Sequence, residues 1–345
     1  MPLSIIIVGS TTPESLEQSY ARALSKLDCK VRLWNPQAAL KSFSRGGKLG
    51  GLFSQFVHVE AWLRKSNLDL LALTEQEPPD LILVVGTSGV RAGTLAQIQV
   101  RLPRCLIYCI YPDSPHNLDC DRIHCLPFFD RITVSSPPWV DAFRKLGGQQ
   151  VAFLPFAADT DLHQPHQAPA SETVSPTNVA FIGTWRPERE AFLESLTEFG
   201  LQIWGSHYWR TRTRPSSALR ACWVGRPARG DEFPEICANT KILLNVMDPL
   251  TWPGPNMRTF EQAACRGFTL TTRSPAVLEL FSEGKTIACF DSIGEAKEKI
   301  SHYLVHSENR RQIAENGCQF VIGGGHTYLD RARLLLQWVQ MDQSA

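Results

Sequence analysis

Short, almost wholly apolar runs alternate along this chain with longer stretches in which apolar residues recur every three or four positions. The runs in the first half are Ser4–Val8, Lys30–Trp34, Asp80–Gly86, Arg104–Tyr111, Arg131–Ser135 and Val151–Leu154. Those in the second half are Asn178–Ile182, Leu201–Trp204, Lys241–Val246, Phe268–Thr272 and Thr286–Phe290. Leu81-Ile82-Leu83-Val84-Val85 has no polar face, as expected of a parallel strand covered by helices on both sides. The periodic stretches predict helices over Glu14–Leu27, Leu49–Leu73, Val90–Val100 and Pro137–Leu146 in the first half. In the second half they predict Pro187–Phe199, Asp231–Asn239, Asn256–Arg266, Pro275–Phe281, Ile293–Leu304, Glu308–Val321 and a last helix from about Thr327 to Met341. Strands alternating with helices define βαβ units and a doubly wound sheet.

The alternation breaks once. Ala157–Asn178 is rich in Pro, Ala, Ser, Thr and His and has no period, which reads as a linker. The expected organisation is an N-terminal domain over 1–156, a linker over 157–177, a second domain over 178–325 and a final helix over 326–345. The fold class is α/β, with two Rossmann-like doubly wound domains facing across a cleft. Ligands of such sheets lie beyond the carboxyl ends of the strands, so the loops there are the places to look for chemistry.

Composition narrows the function classes. Of 345 residues, 43% are hydrophobic and 20% charged, which excludes a disordered or fibrous chain. Lys and Arg total 35 against 34 Asp and Glu, a net charge of +1. A protein built to grip nucleic acid or an anionic membrane carries a clear basic excess, so a nucleic-acid partner is not expected. No apolar run approaches the roughly 20 residues of a membrane span, and the N-terminus enters a strand directly, without a leader pattern. The ten Cys are scattered, several of them within apolar runs, as reduced thiols are. A cytoplasmic location is the expectation.

Among the loops of the first half, Gly9-Ser10-Thr11-Thr12-Pro13 ends the first strand. The dinucleotide fingerprint and the phosphate-binding P-loop are both absent, which argues against a nicotinamide oxidoreductase and a P-loop NTPase. Gly86-Thr87-Ser88-Gly89 supplies hydroxyls suited to a sugar or phosphate oxygen, and equally suits a capped turn. Tyr111-Pro112-Asp113-Ser114-Pro115-His116 puts a carboxylate and an imidazole three residues apart after a central strand, where either could act as a general base; Pro and Asp are also ordinary turn residues. Cys105, Cys109, His116, Cys120, His124 and Cys125 lack the paired Cys spacing of a zinc site, so no metal is expected. The triplets Asp119-Cys120-Asp121 and Asp159-Thr160-Asp161 are too common by chance to weigh.

The second half is more informative. Phe181-Ile182-Gly183-Thr184-Trp185-Arg186-Pro187 combines a Gly for close approach, a hydroxyl, a guanidinium and a helix N-terminus that attracts anions. Trp204-Gly205-Ser206-His207-Tyr208-Trp209 offers aromatic faces on which a base could stack. The stretch from Asn245 to Glu261 is the sharpest feature. A strand ends at Asn245, a loop with Pro253, Gly254 and Pro255 follows, and a helix starts near Asn256. Arg258 lies in its first turn, beside unpaired amides and the positive dipole end. Glu261 falls on the same face, placed to accept hydrogen bonds from ribose hydroxyls. The same pair would also serve as an exposed ion pair of little consequence.

These residues resemble a known family. Val179-Ala180-Phe181-Ile182-Gly183-Thr184, Arg189, Trp204-Gly205, Lys241-Ile242-Leu243-Leu244-Asn245 and Asn256-Met257-Arg258-Thr259-Phe260-Glu261-Gln262-Ala263-Ala264-Cys265-Arg266-Gly267 look like the glycosyltransferases related to the spore maturation protein CgeB. Asn309–Gly317 and His326-Thr327-Tyr328, and a junction at Leu154–Asp159, belong to the same likeness, which is good over about 150–340 and only an outline before that. The resemblance implies a GT-B fold whose last helix crosses back to the N-terminal domain. It implies a nucleotide-sugar-dependent, hexosyltransferase-type enzyme that is metal-independent and needs no cofactor. Its partners would be a nucleoside-diphosphate sugar and an unidentified saccharide, protein or small-molecule acceptor. Glu261 would bind the donor ribose, Arg258 and its preceding loop the pyrophosphate, Gly183 and Thr184 would flank the phosphates, and the Trp204-Gly205 loop would hold the base, while Arg186, by its charged fork, joins the donor-binding residues. The acceptor would approach Gly9, Ser10, Thr87 and Asp113, with Asp113 or His116 as catalytic base. The family often has an acidic pair where this chain has Asp113-Ser114-Pro115. A sugar-nucleotide epimerase of the same fold and a catalytically silent binding protein are the alternatives.

Overall fold

The computed structural model describes residues 2–43, 59–86, 89–166, 175–249 and 251–344. The chain forms two compact units, the first made of Met1–Leu154 with Leu329–Ala345 and the second of Pro155–Tyr328. In the first unit the elements run β1 (Ser4–Val8), α1 (Leu16–Ser25), β2 (Lys30–Trp34), α2 (Pro36–Phe43), α3 (Glu60–Gln76), β3 (Leu81–Val85), α4 (Ala92–Arg101), β4 (Leu106–Tyr111), α5 (Cys120–Cys125), β5 (Arg131–Val134), α6 (Trp139–Lys145) and β6 (Val151–Phe153). All six strands are parallel, in the order β2-β1-β3-β4-β5-β6. All five side chains of β3 are buried, because helices cover the sheet on both faces. The chain winds from β1 to β2 on one side, then returns to β3 on the other, so the loops after β1 and β3 flank a topological switch point.

The second unit continues with β7 (Thr177–Ile182), α7 (Pro187–Glu194), β8 (Leu201–Trp204), α8 (Tyr208–Thr211), α9 (Leu219–Cys222), α10 (Glu232–Asn239), β9 (Thr240–Asn245), α11 (Met257–Ala264), β10 (Thr269–Thr272), α12 (Pro275–Leu280), β11 (Ala288–Phe290), α13 (Ile293–Val305) and α14 (Ser307–Gly323). Its five strands are also parallel, in the order β11-β10-β9-β7-β8. Here the switch point falls between β7 and β9, where the loops of Gly183 and Pro253 begin.

The last helix, α15 (Tyr328–Gln343), packs into the first unit. Ala332, Leu335 and Val339 form its buried stripe at helical spacing. Near its end Asp342 accepts from Arg131 at 2.9 and 3.2 Å and from the Tyr108 hydroxyl, while the guanidinium of Arg131 lies 4.9 Å from the centre of the Trp338 ring. Residues 156–158, expected to lead into or begin the linker, are core instead. Ala157 and Ala158 are fully buried, and Ala158 pairs with the chain at Thr327 through hydrogen bonds to His326 and Tyr328.

Most expected elements appear with shifted ends. The helix predicted over Leu49–Leu73 is present as α3, and its segment 49–58 lies outside the described residues. Pro187–Phe199 is divided: α7 stops at Glu194, and a 3₁₀ turn at Thr197–Phe199 closes on Gly200, whose φ of 71° suits only a residue without a Cβ clash. α2, α5, α8 and α9 are short helices that the periodicity did not suggest.

After β10, Arg273 gathers Glu283, Glu295 and Asp291 around one guanidinium. Its hydrogen bonds hold the carboxyls of Glu283 and Glu295 at about 2, below the ordinary 4.5. Depressed carboxylate values mean stabilisation that is complete above the unfolded value and disappears as pH falls toward 2. Melting of the second unit, followed from pH 5 to pH 2, is expected to drop through that window. The drop should be shallower in Arg273→Ala, which has less to lose.

Candidate functional site

The loops after β7 and β9 meet at the switch point of the second sheet, and three guanidiniums join them. Arg189, on the first turn of α7, donates to Val246 O at 3.0 Å and to Thr184 O at 3.1 Å, so one side chain stitches both loops. Burial first lowers the Arg189 guanidinium below its ordinary value; Asp248 opposes this, while the charges of Arg186 and Arg258 add to it. Arg186 is half-exposed and donates to Asp248 at 2.8 Å. Arg258 donates to Ile182 O at 3.3 Å, forms an ion pair with Glu261 and lies 4.9 Å from the centre of the Phe233 ring. Three guanidiniums against the carboxylates of Asp248 and Glu261 leave net positive charge at the carboxyl end of the strands, where α11 also begins.

The start of α11 is built locally. Asn256 is its N-cap and accepts from the Thr259 amide at 3.2 Å, leaving the first-turn amides of Met257 and Arg258 without intrahelical acceptors. Asn245, at the end of β9, donates to Asn256, Thr259 and Thr271 at 3.0–3.1 Å, and Asn256 returns a hydrogen bond at 2.8 Å. Its buried amide ties the helix start to the sheet, so it positions the site. Gly254 is buried in the turn that donates its amide to Thr251 O at 3.0 Å.

Glu261 is 5% exposed. Besides Arg258 it faces His163, whose Nε2 lies 3.8 Å from Oε1. The Asp159 amide donates to His163 Nδ1 at 3.2 Å, so a neutral His163 carries its proton on Nε2, toward the carboxylate. His163 also packs edge-on against Phe233, 5.2 Å between ring centres. It comes from the stretch that the composition marked as linker, and nothing in its surroundings along the chain singled it out.

The Trp204–Trp209 loop is not the aromatic platform that its composition suggested. Trp204 ends β8 pointing into the core at 2% exposure, and Trp209 is fully buried with its indole donating to Gly183 O at 2.9 Å. The faces turned outward are those of His207 and Tyr208. Gly205 is required by packing: a Cβ there would lie 2.5 Å from the Trp209 ring and closer still to Gly183 O. Gly205→Ala is expected to cost about 1–3 kcal/mol by overpacking. It should also displace the Gly183–Thr184 backbone, so ligand affinity of the second unit falls with melting temperature; calorimetry and thermal melting check both.

In the first unit Gly9, Gly86 and Asp113 follow β1, β3 and β4 at the carboxyl edge of the sheet. The space above Gly9 is filled by Glu17, whose Cγ would lie 2.6 Å from an added Cβ and whose Oε1 accepts from the Ser10 amide at 2.7 Å. This buried carboxylate was missed; its only sequence signal is an acid in the first turn of α1. Asp113 and His116 are both exposed, linked through Ser114, which donates its amide to Asp113 at 2.9 Å and accepts from the His116 amide at 3.2 Å. Thr87 lies outside the described residues. Cys105 and Cys125 are buried, their thiols pushed up to about 12 by burial. Among the described residues no group of three His, Cys, Asp or Glu is arranged to hold a metal ion, and no helix is long and apolar enough to cross a membrane.

Two parallel-sheet α/β units of this topology define the fold of GT-B glycosyltransferase structures. Residues 186–337 match the model of the glycosyl transferase-like family. Sucrose-phosphate synthase from Thermosynechococcus elongatus is similar over 99% of this chain and 100% of its own, with a TM-score of 0.69 at 13% identity. HepE from Anabaena, in complex with UDP-glucose, gives 0.68 at 11% identity over 98% and 100%. A glycosyltransferase from Rickettsia africae gives 0.70 at 10% identity over 99% and 98%. At such identities the likeness is one of fold. No curated protein sequence matches the chain significantly.

Proposed function

We propose that the protein is a glycosyltransferase that binds a nucleoside-diphosphate sugar in its second unit and passes the sugar to an acceptor. The observation that carries this reading is the cluster of Arg186, Arg189 and Arg258 at the switch point, beside the first turn of α11 and the buried carboxylate of Glu261. A diphosphate fits such a place: guanidinium forks and free amides bind its oxygens, and they stabilise best the charge that grows as it leaves. Arg258 and the amides of α11 take the pyrophosphate, with Gly183 and Thr184 alongside, and Glu261 accepts from the ribose hydroxyls. The base lies against the His207–Tyr208 end of the following loop. The fixed positive charge supplies the neutralisation that a divalent ion provides elsewhere, so the reaction is read as metal-independent.

Asp113 or His116 takes the acceptor proton if the reaction inverts, and Gly9, Ser10 and Glu17 line the acceptor side, to which Thr87 is assigned on its sequence position alone. The CgeB-like assignment within the glycosyltransferases rests on the Arg258–Gly267 and His326–Tyr328 motifs. A cytoplasmic site of action agrees with ten free thiols.

The test is a melting-temperature screen of nucleoside diphosphates and their sugars, with UDP-glucose first because HepE carries it. A ligand at 100 times its Kd adds about 2.7 kcal/mol. If no nucleoside diphosphate raises the melting temperature, the reading falls. Where one does, chromatography of the products with and without added acceptors separates a transferase from an epimerase, which converts the donor alone, and from a silent binder, which converts nothing.

A further inference from the structure

The second unit holds another basic site, at the opposite end of its sheet. A cavity of 470 Å³ opens where β7, β9 and β10 begin, and Lys241, Arg266, Arg310 and Arg311 line it without any Asp or Glu. Its size falls within the range of small-molecule sites. Three separate elements supply the cations: the start of β9, the turn after α11, and the first two turns of α14.

The charges are only half compensated. Arg266 pairs with Glu315 at 2.8 Å and Arg311 with Glu308 at 2.5 Å, both carboxylates standing outside the cavity lining. Lys241 Nζ is instead held by the side-chain oxygen of Asn178 at 2.9 Å, and Arg310 donates to the carbonyl of Tyr303. Neither has a carboxylate in ion-pair range among the described residues. Neutral partners fix where these two cations sit and leave their charge in place. Burial first, and then the charge of the neighbouring Arg311, lowers the Arg310 guanidinium below its ordinary value. Arg266 adds a further peculiarity: its φ of 58° lies in the left-handed region, where Gly or Asn usually ends a helix.

We propose that this cavity binds a small phosphate-bearing molecule at a site separate from the sugar-donor site. Two uncompensated cations on different elements, with two more at the rim, suit a ligand carrying two phosphate charges. The probe is inorganic pyrophosphate, titrated calorimetrically into the full chain at low ionic strength. Binding is expected to weaken at least about tenfold in Lys241→Gln/Arg310→Gln, and clearly in the exposed single variant Lys241→Gln, which leaves the packing of α14 untouched. It should persist in Arg258→Ala, where the donor site has lost its guanidinium. Absence of binding at millimolar pyrophosphate, equal binding by the Lys241 and Arg310 variants, or loss of binding in Arg258→Ala would each overturn the proposal. Equal binding by the Lys241 and Arg310 variants leaves the donor site standing, because Arg258 would then hold the pyrophosphate, and the last outcome would place all phosphate binding there; absence of all binding would count against both sites.

Discussion

Replacing Arg258 by Ala is expected to weaken nucleoside diphosphate binding by about 10- to 150-fold, the loss of one charge-assisted interaction worth about 1.5–3 kcal/mol. The same change should cost stability. Glu261 is 5% exposed and, among the described residues, would keep His163 at 3.8 Å as its remaining ion-pair neighbour. A buried charged acceptor that loses its partner is destabilised by about 1–3 kcal/mol or more. Glu261→Gln separates the two effects. It removes the buried charge while keeping the shape, and Arg258, 30% exposed, can turn to water. That variant should lose affinity for the ribose-bearing ligand with little change in melting temperature. Calorimetric titration beside thermal melting reads both numbers. Full affinity in Arg258→Ala would remove the diphosphate from this place.

The second large effect belongs to the first unit. Asp342 and Arg131 are each 12% exposed at the side chain, and Asp342 also accepts from Tyr108. Breaking a fully buried pair by removing one partner costs about 3–5 kcal/mol, because the other charge stays behind without compensation; for this part-buried pair the low end of that range is expected. Asp342→Ala should therefore lower the melting transition of the first unit by roughly 10 °C. Asp342→Asn, whose amide oxygen can still accept from Arg131 and Tyr108, should fall between the two. Scanning calorimetry is the right instrument, since two units need not melt together. Diphosphate binding by the second unit should be unchanged in folded protein; a matching loss there would mean that the pair does more than dock a helix.

The sheets were legible because strands buried on both faces must be apolar throughout, as Leu81–Val85 is, and few other structures demand that. The Arg258–Glu261 pair was legible because spacing along one helix is local information. Asn35-Pro36 carried an equally local signal that went unread: Asn35 Oδ1 accepts from the Gln37 and Ala38 amides at 2.9 and 3.0 Å and starts α2. Other features depend on strand order. Arg189 bridges Thr184 and Val246 only because β7 and β9 lie side by side, and Asn245 reaches Thr271 because β9 borders β10. Trp204 turned inward because the last position of β8 faces Phe233 and Ile236, a fact of packing with no trace in its neighbours along the chain. Glu17 over Gly9 and Asp342 on Arg131, 211 positions apart, belong to the same class.

The last helix also sets an order of events. The second unit is one unbroken segment, complete once Tyr328 has been made, whereas the first lacks α15 until residues 329–343 have followed. Synthesis proceeds at about 5–20 residues per second, so the opening half spends many seconds with the seat of Ala332, Leu335 and Val339 uncovered. Of the two units, the one begun earlier is finished later, and a ribosome stalled between Tyr328 and Asp342 would release a chain whose second unit is whole and whose first is not.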